Sequence, residues 1–228
     1  MKHAGKATEA GLRLIYWALF YLLGLTLAGV LAVVFGKLLV AVAGGLFGLW
    51  VLFAFFCFYF FRDGRAEVPT APEAVVAPAH GKVDLIDEVE EPEFMGGRCR
   101  RVSVFLSLFD VHVQRAPVAG RVALRKRTPG QFLNAMRTDS AAYNENVLFG
   151  FDSSERAGEK IGVRLIAGVI ARRIVPWAAE GDVVERGERI SLIQFGSRCE
   201  LYLPLSAKVQ VQLGQHVRGG TTVMAIRG

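Results

Sequence analysis

Gly181-Asp-Val-Val184-Glu-Arg-Gly187-Glu-Arg-Ile190 and, 33 residues later, Gly214-Gln-His-Val217-Arg-Gly-Gly220-Thr-Thr-Val223 share the pattern G-x-x-V-x-x-G-x-x-[IV]. Glycine at these places suits a backbone turn with positive φ, while the Val and Ile point to a core. The pattern therefore reads as one hairpin corner used twice. Working outward, short runs rich in Val, Ile and Phe alternate apolar and polar residues: 82–89, 101–108, 118–126, 146–151, 161–166, 189–195, 199–204 and 208–212. Gly, Pro or Asp separates them, as expected of strands and turns. Residues 168–179 read equally as strand or helix, and 133–145 as a loop or short helix.

The paired turns resemble those of biotinyl- and lipoyl-type barrel-sandwich domains. Such carriers present a modifiable Lys on the hairpin between the halves. Here the intervening stretch is Gln194-Phe-Gly-Ser-Arg-Cys-Glu200, with no Lys, so the architecture is expected without the carrier role. The expected fold is mainly β (α+β): a barrel-sandwich-like domain behind an N-terminal transmembrane helical hairpin.

That hairpin is read from the apolar runs. Residues 14–36 are uncharged, Lys37 interrupts, and 38–61 are uncharged again. About 20 apolar residues span the hydrocarbon core of a bilayer. The expected organisation is an anchor over 1–61, a Pro-rich linker over 62–80 (Pro69, Pro72, Pro78) and a soluble domain over 81–228. Tyr16, Trp17, Tyr21, Tyr59, Phe60 and Phe61 suit the aromatic belts at the membrane surfaces. Lys2, Lys6 and Arg13 before the hairpin, with Arg62 and Arg65 after it, put both termini and the domain on the cytoplasmic side of the inner membrane. A re-entrant hairpin that never crosses stays open. Gly44 and Gly48 have helix-dimer spacing, which leaves a homo-oligomer open.

Charge divides evenly between the two parts. Residues 1–61 carry four basic and one acidic residue, and 62–228 carry 23 and 20, so each contributes +3. A mildly basic domain is a poor nucleic-acid binder. Cys57, Cys99 and Cys199, with four histidines, show neither a disulfide framework nor a metal-ligand spacing.

The residues between the turn repeats, Phe195-Gly-Ser-Arg198, resemble the short prokaryotic phosphatidylserine decarboxylases. Further blocks follow in that family's order. Phe60-Phe-Arg-Asp63 resembles its FFRD entry, and Ala77-Pro-Ala-His-Gly-Lys-Val83 its PADG-[RK]-V segment. Phe109-Asp-Val-His-Val113 with Arg115-Ala-Pro117 resembles FDVHVNRAP, and Pro129-Gly-Gln-Phe-Leu-Asn-Ala135 resembles PGxFLNA. Leu201-Tyr-Leu-Pro204 closes the series.

The resemblance implies a proenzyme. The Ser197 hydroxyl attacks the Gly196 carbonyl, the chain splits through an ester into 1–196 and 197–228, and elimination leaves a covalent pyruvoyl group. The two chains remain associated. The pyruvoyl group forms a Schiff base with the amine of phosphatidylserine and accepts the electron pair as carbon dioxide leaves, giving phosphatidylethanolamine. His112 matches the family histidine that moves the proton in this step, and Asp110 is expected to orient it.

One position departs from the family. His80 stands where the family has Asp, a residue of its self-cleavage machinery. His80 is expected to serve as the base itself. Arg115, Arg172 and Arg173 are alternative partners for the substrate phosphate. Arg98, Arg100, Arg101 and 125–127 read as a solvated face or an attraction for anionic headgroups. Asn134, Asn144 and Glu145 fall in a polar stretch. The competing readings are a non-enzymatic membrane-anchored adaptor and an inactive lipid-binding relative.

Overall fold

The computed structural model describes residues 6–133, 143–168, 173–194 and 197–228. It divides into two compact units, Met1–Cys57 and Phe58–Gly228.

The N-terminal unit is built on one helix, α1 (Lys6–Phe60). Its apolar span, Ile15–Phe60, is long and apolar enough to cross a membrane, and its side chains from Ile15 to Trp50 are exposed. The turn expected at Gly36–Lys37 is absent, and segments 14–36 and 38–61 form one unbroken helix. The physical reason is local. Around Gly36–Lys37 there is no Pro and no second turn-forming residue. A single interior Gly costs about 1 kcal/mol, whereas a break strands the end groups of two helices.

The second unit is mainly β. Its largest sheet is antiparallel throughout, in the order β13 (His216–Val217), β2 (Gly81–Glu91), β3 (Gly97–Leu106), β11 (Ser197–Leu203), β7 (Lys160–Ala167), β6 (Asn146–Ser153), β5 (Gly120–Thr128) and β9 (Val183–Val184). A three-stranded sheet joins β1 (Ala74–Val76), β14 (Val223–Ile226) and β12 (Lys208–Val209). Another joins β4 (Val113–Arg115), β10 (Arg189–Gln194) and β8 (Arg173–Pro176). The ambiguous 168–179 stretch thus contains a strand, while 134–142 and 169–172 lie outside the described residues. One core holds Val83, Val104, Leu106, Val122, Phe149, Leu165, Ile193 and Leu201, all fully buried.

The barrel-sandwich expectation is met in detail. Gly181, Gly187, Gly214 and Gly220 all have positive φ, between 75° and 97°. Their bonds repeat too. Gly181 N–H donates to Val122 and Gly214 N–H to Val83, while Gly187 donates to Ala116 and Gly220 to Ala77. The partners expose a second sequence repeat, Ala77-Pro-Ala-His-Gly-Lys-Val83 with Ala116-Pro-Val-Ala-Gly-Arg-Val122. Its glycines do the same work. A Cβ at Gly81 would stand 2.2 Å from the Phe105 carbonyl oxygen, and one at Gly120 would stand 2.1 Å from that of Asp152. Each half therefore needs glycine where one strand crosses another.

The expected linker is part of the domain, which begins at Phe58. Four arginines hold it. Arg115 binds the Asp63 carboxylate at 2.8 Å and the Gly64 carbonyl at 2.7 Å, and Arg189 binds Asp63 as well. Arg186 takes the carbonyls of Pro69 and Ala71, and Arg227 that of Pro72. The three prolines make the stretch extended, and extended backbone leaves carbonyls free to accept these bonds.

Candidate active site

Ser197 opens β11 near the centre of the large sheet, paired with Leu106 on one side and Ala167 on the other. Register places its side chain on the face of Leu106 and Ala167, towards the core. Its hydroxyl is fully buried and, among the described residues, has no hydrogen-bond partner. A buried unpartnered hydroxyl costs about 1–3 kcal/mol and is an exception in folded proteins. Gly196 and Phe195 lie outside the described residues. The neighbouring Arg198 is fully buried, bonded to Asp84 at 2.7 Å and to Ser103 Oγ at 2.8 Å. This pair fixes the strand one residue beyond Ser197.

His112 reaches the same corner through the backbone. Ile193 N–H donates to the His112 carbonyl at 3.1 Å, on β10, the strand that precedes Ser197 in the chain. The imidazole is buried against Phe60, ring centroids 4.3 Å apart. Its Nδ1 lies 2.9 Å from the Asp110 carbonyl oxygen. A carbonyl only accepts, so in the neutral ring Nδ1 carries the proton and Nε2 the lone pair. Burial lowers the pKa of His112, partly offset by that bond. The ring is therefore neutral at pH 7.

The Asp110 contact to the His112 ring is through the backbone carbonyl, not the carboxylate. Asp110 and His112 precede the strand, because β4 starts at Val113. The Asp110 carboxylate instead accepts from Ser107 N–H at 2.8 Å and Ser107 Oγ at 2.7 Å. Its other oxygen lies 2.8 Å from His216 Nε2. Burial would raise the Asp110 pKa, but the Ser107 bonds and His216 together outweigh it and the net shift is downward.

His80 stands close to this group. Burial first, then the positive charge of Arg115, lowers its pKa to about 4, while Asp110 acts in the opposite sense. Space for the ring comes from Gly219, where a Cβ would lie 3.2 Å from His80 Cδ2. In the other half of the fold the matching positions are Ala119 and Arg186. The imidazole is thus a departure from the internal symmetry at one corner.

Other expected contacts are structural. Arg115 is committed to Asp63, Gly64 and Gly187. Arg101 pairs with Asp87 and Glu200, and Arg98 and Arg100 pair with Glu88. Asn144 clamps Leu133 and the Ala167 carbonyl beside Ser197, and Glu145 pairs with Arg127. Arg173 is exposed at the start of β8, while Asn134 and Arg172 lie outside the described residues. An open groove of about 390 Å³, lined by Lys82, Asp84, Phe105 and Leu213, runs beside β2. Sequence reasoning missed His216, whose one signal is that it occupies the turn-repeat position held by Val183 in the first copy.

Asp110 is thus in contact with both His112 and His216 and acts electrostatically on His80, and His112 is tied through Ile193 to the strand that precedes Ser197 in the chain. Imidazoles and a carboxylate can accept and return protons, and a serine hydroxyl can act as a nucleophile. Comparison with known proteins points the same way. The family described as phosphatidylserine decarboxylase matches residues 53–225. A protein of Symbiobacterium thermophilum named phosphatidylserine decarboxylase proenzyme is 42% identical over 195 residues, covering 83% of this chain and 90% of its own. Proteins of the same name from Desulfotalea psychrophila and Zymomonas mobilis are 41% and 45% identical, covering 77% and 72% of this chain and 81% and 69% of their own.

Proposed function

The chain belongs to the phosphatidylserine decarboxylase family, a decarboxylase of phospholipid synthesis made as a proenzyme, and on that premise we propose that it cleaves itself between Gly196 and Ser197 and then converts phosphatidylserine to phosphatidylethanolamine at the membrane. The observation that carries the reading is the Ser197 hydroxyl, fully buried and, among the described residues, without a partner at the start of a central strand. A hydroxyl kept free of hydrogen bonds is available to attack the carbonyl that precedes it. His112 and His80, both neutral at pH 7, are the bases within the same corner.

The residue that becomes the pyruvoyl group is Ser197 itself, so the fit rests on this hydroxyl. Once formed, the group supplies a carbonyl that takes up the substrate amine and an electron sink for the departing carbon dioxide. His112 then holds and returns the proton through Nε2, with its ring fixed by Asp110 and Phe60. His80 serves processing in place of a carboxylate. Residues 197–228 supply β11, β12, β13 and β14, and β11 is hydrogen-bonded on both sides. This supports the two cleaved chains remaining together.

The apolar span of α1 supports membrane association. A two-tailed lipid stays in the bilayer, so a tethered site meets it at high effective concentration. The test is carbon dioxide release from phosphatidylserine by the full chain and by Ser197→Ala. Release by the wild type alone, with the variant left as one chain, is expected. Release by the variant, or none by the wild type, would overturn the proposal.

A further inference from the structure

The loop between β3 and β4 presents a large apolar side chain to solvent at the edge of the site. Phe109 is 70% exposed, one residue from the Asp110 carboxylate and three from His112. Its backbone is held in place. Tyr59 Oη donates to the Phe109 carbonyl at 3.3 Å and Arg62 Nη2 donates to it at 2.6 Å. Arg62 also donates to the Tyr59 carbonyl at 2.7 Å, and its guanidinium lies 3.9 Å from the centre of the Tyr59 ring. Both donors come from the last turn of α1 and the residues just after it, where Phe58 is 80% exposed and Phe61 is 43% exposed. A clamp that keeps an aromatic ring outside a folded domain needs a medium to receive it, because in water the exposure forfeits the gain from burial.

We propose that Phe109 is an interfacial anchor. Together with Phe58 and Phe61 it enters the headgroup region of the bilayer and seats the His112 corner against the lipid surface. The occupant is lipid because Phe58, one residue from Tyr59, itself belongs to the apolar span that ends at Phe60. The medium that covers that span also covers Phe58. Arg62 and Arg65 follow at once in the chain, and an aromatic ring beside cationic side chains suits the boundary between acyl chains and anionic headgroups. The inference rests on the proposed lipid substrate and adds the surface that meets it.

The test compares full-length wild type, Phe109→Gln and Phe109→Trp on two substrates: phosphatidylserine in phosphatidylcholine vesicles, and dihexanoyl phosphatidylserine kept monomeric in solution. Losing burial of one Phe-sized ring lowers kcat/KM on vesicles about tenfold. Activity on the monomeric substrate is unchanged, and the Trp variant restores the vesicle rate. A Phe109→Cys chain in a Cys57→Ser background, labelled with an environment-sensitive fluorophore, is quenched by brominated lipids. That measurement decides the matter if the Gln variant does not fold. Equal vesicle rates for wild type and Phe109→Gln, or an unquenched label, would overturn the anchor while leaving the decarboxylase reading intact. A wild type inactive on both substrates would instead sink that reading.

Discussion

Acid should destabilise the fold through His80 in a way that can be isolated. Burial, then Arg115, holds this imidazole at a pKa of about 4 against 6.5 for a free one. The unfolded chain takes up the proton near pH 6.5 and the folded chain only near pH 4. Between these values the unfolded state binds more protons, so stability falls as pH drops and levels off below about pH 4. At about 1.36 kcal/mol per pH unit the full gap corresponds to about 3.4 kcal/mol. His80 is only partly buried, and solvent screening reduces this to about 1–2 kcal/mol. The assay is urea unfolding in detergent micelles, with Ser197→Ala as the uncleaved background. Between pH 7 and about pH 4.5, that chain should lose about 1–2 kcal/mol more than Ser197→Ala/His80→Asn, since the other titrating groups cancel in the difference. Equal losses in the two chains would refute the argument and return His80 to an ordinary surface pKa.

Two further outcomes rest on packing. Gly81→Ala places a Cβ 2.2 Å from the Phe105 carbonyl at φ +145° and should cost about 3 kcal/mol or more. Gly96→Ala, at φ +77° with nothing within 4 Å, should cost about 1 kcal/mol, and the two midpoints of urea unfolding report the contrast. Asp63→Ala leaves the buried Arg115 without its carboxylate and should cost about 2–4 kcal/mol, read as a lowered Tm in the Ser197→Ala background.

The fold was legible where the sequence repeats. The turn pattern at 181–190 and 214–223 marks both corners, and the companion pattern at 77–83 and 116–122 marks the strands they cross, although it emerges only once Val83 and Val122 are seen to share a bonding role. β1, β4, β9 and β13 span two or three residues each, too short to show alternation. The unbroken α1 was hidden for the opposite reason. An apolar run has the same composition whether or not it turns, and Lys37 alone does not break a helix. At the site, Ser197, His80, Asp110 and His112 stand in recognisable blocks. The His216–Asp110 bond joins residues 106 apart in sequence, and Asp63 meets Arg115 across 52. Such contacts leave no local period to read.

The most direct test is the intact mass of the freshly purified full chain. Self-cleavage before Ser197 yields a fragment of 32 residues (228 minus 196), of about 3–4 kDa by its share of the chain. Its amino terminus is blocked, and borohydride reduction in the presence of phosphatidylserine should add the lipid's mass to it. A single species of 24.9 kDa, with Ser197 unmodified, would contradict the central claim.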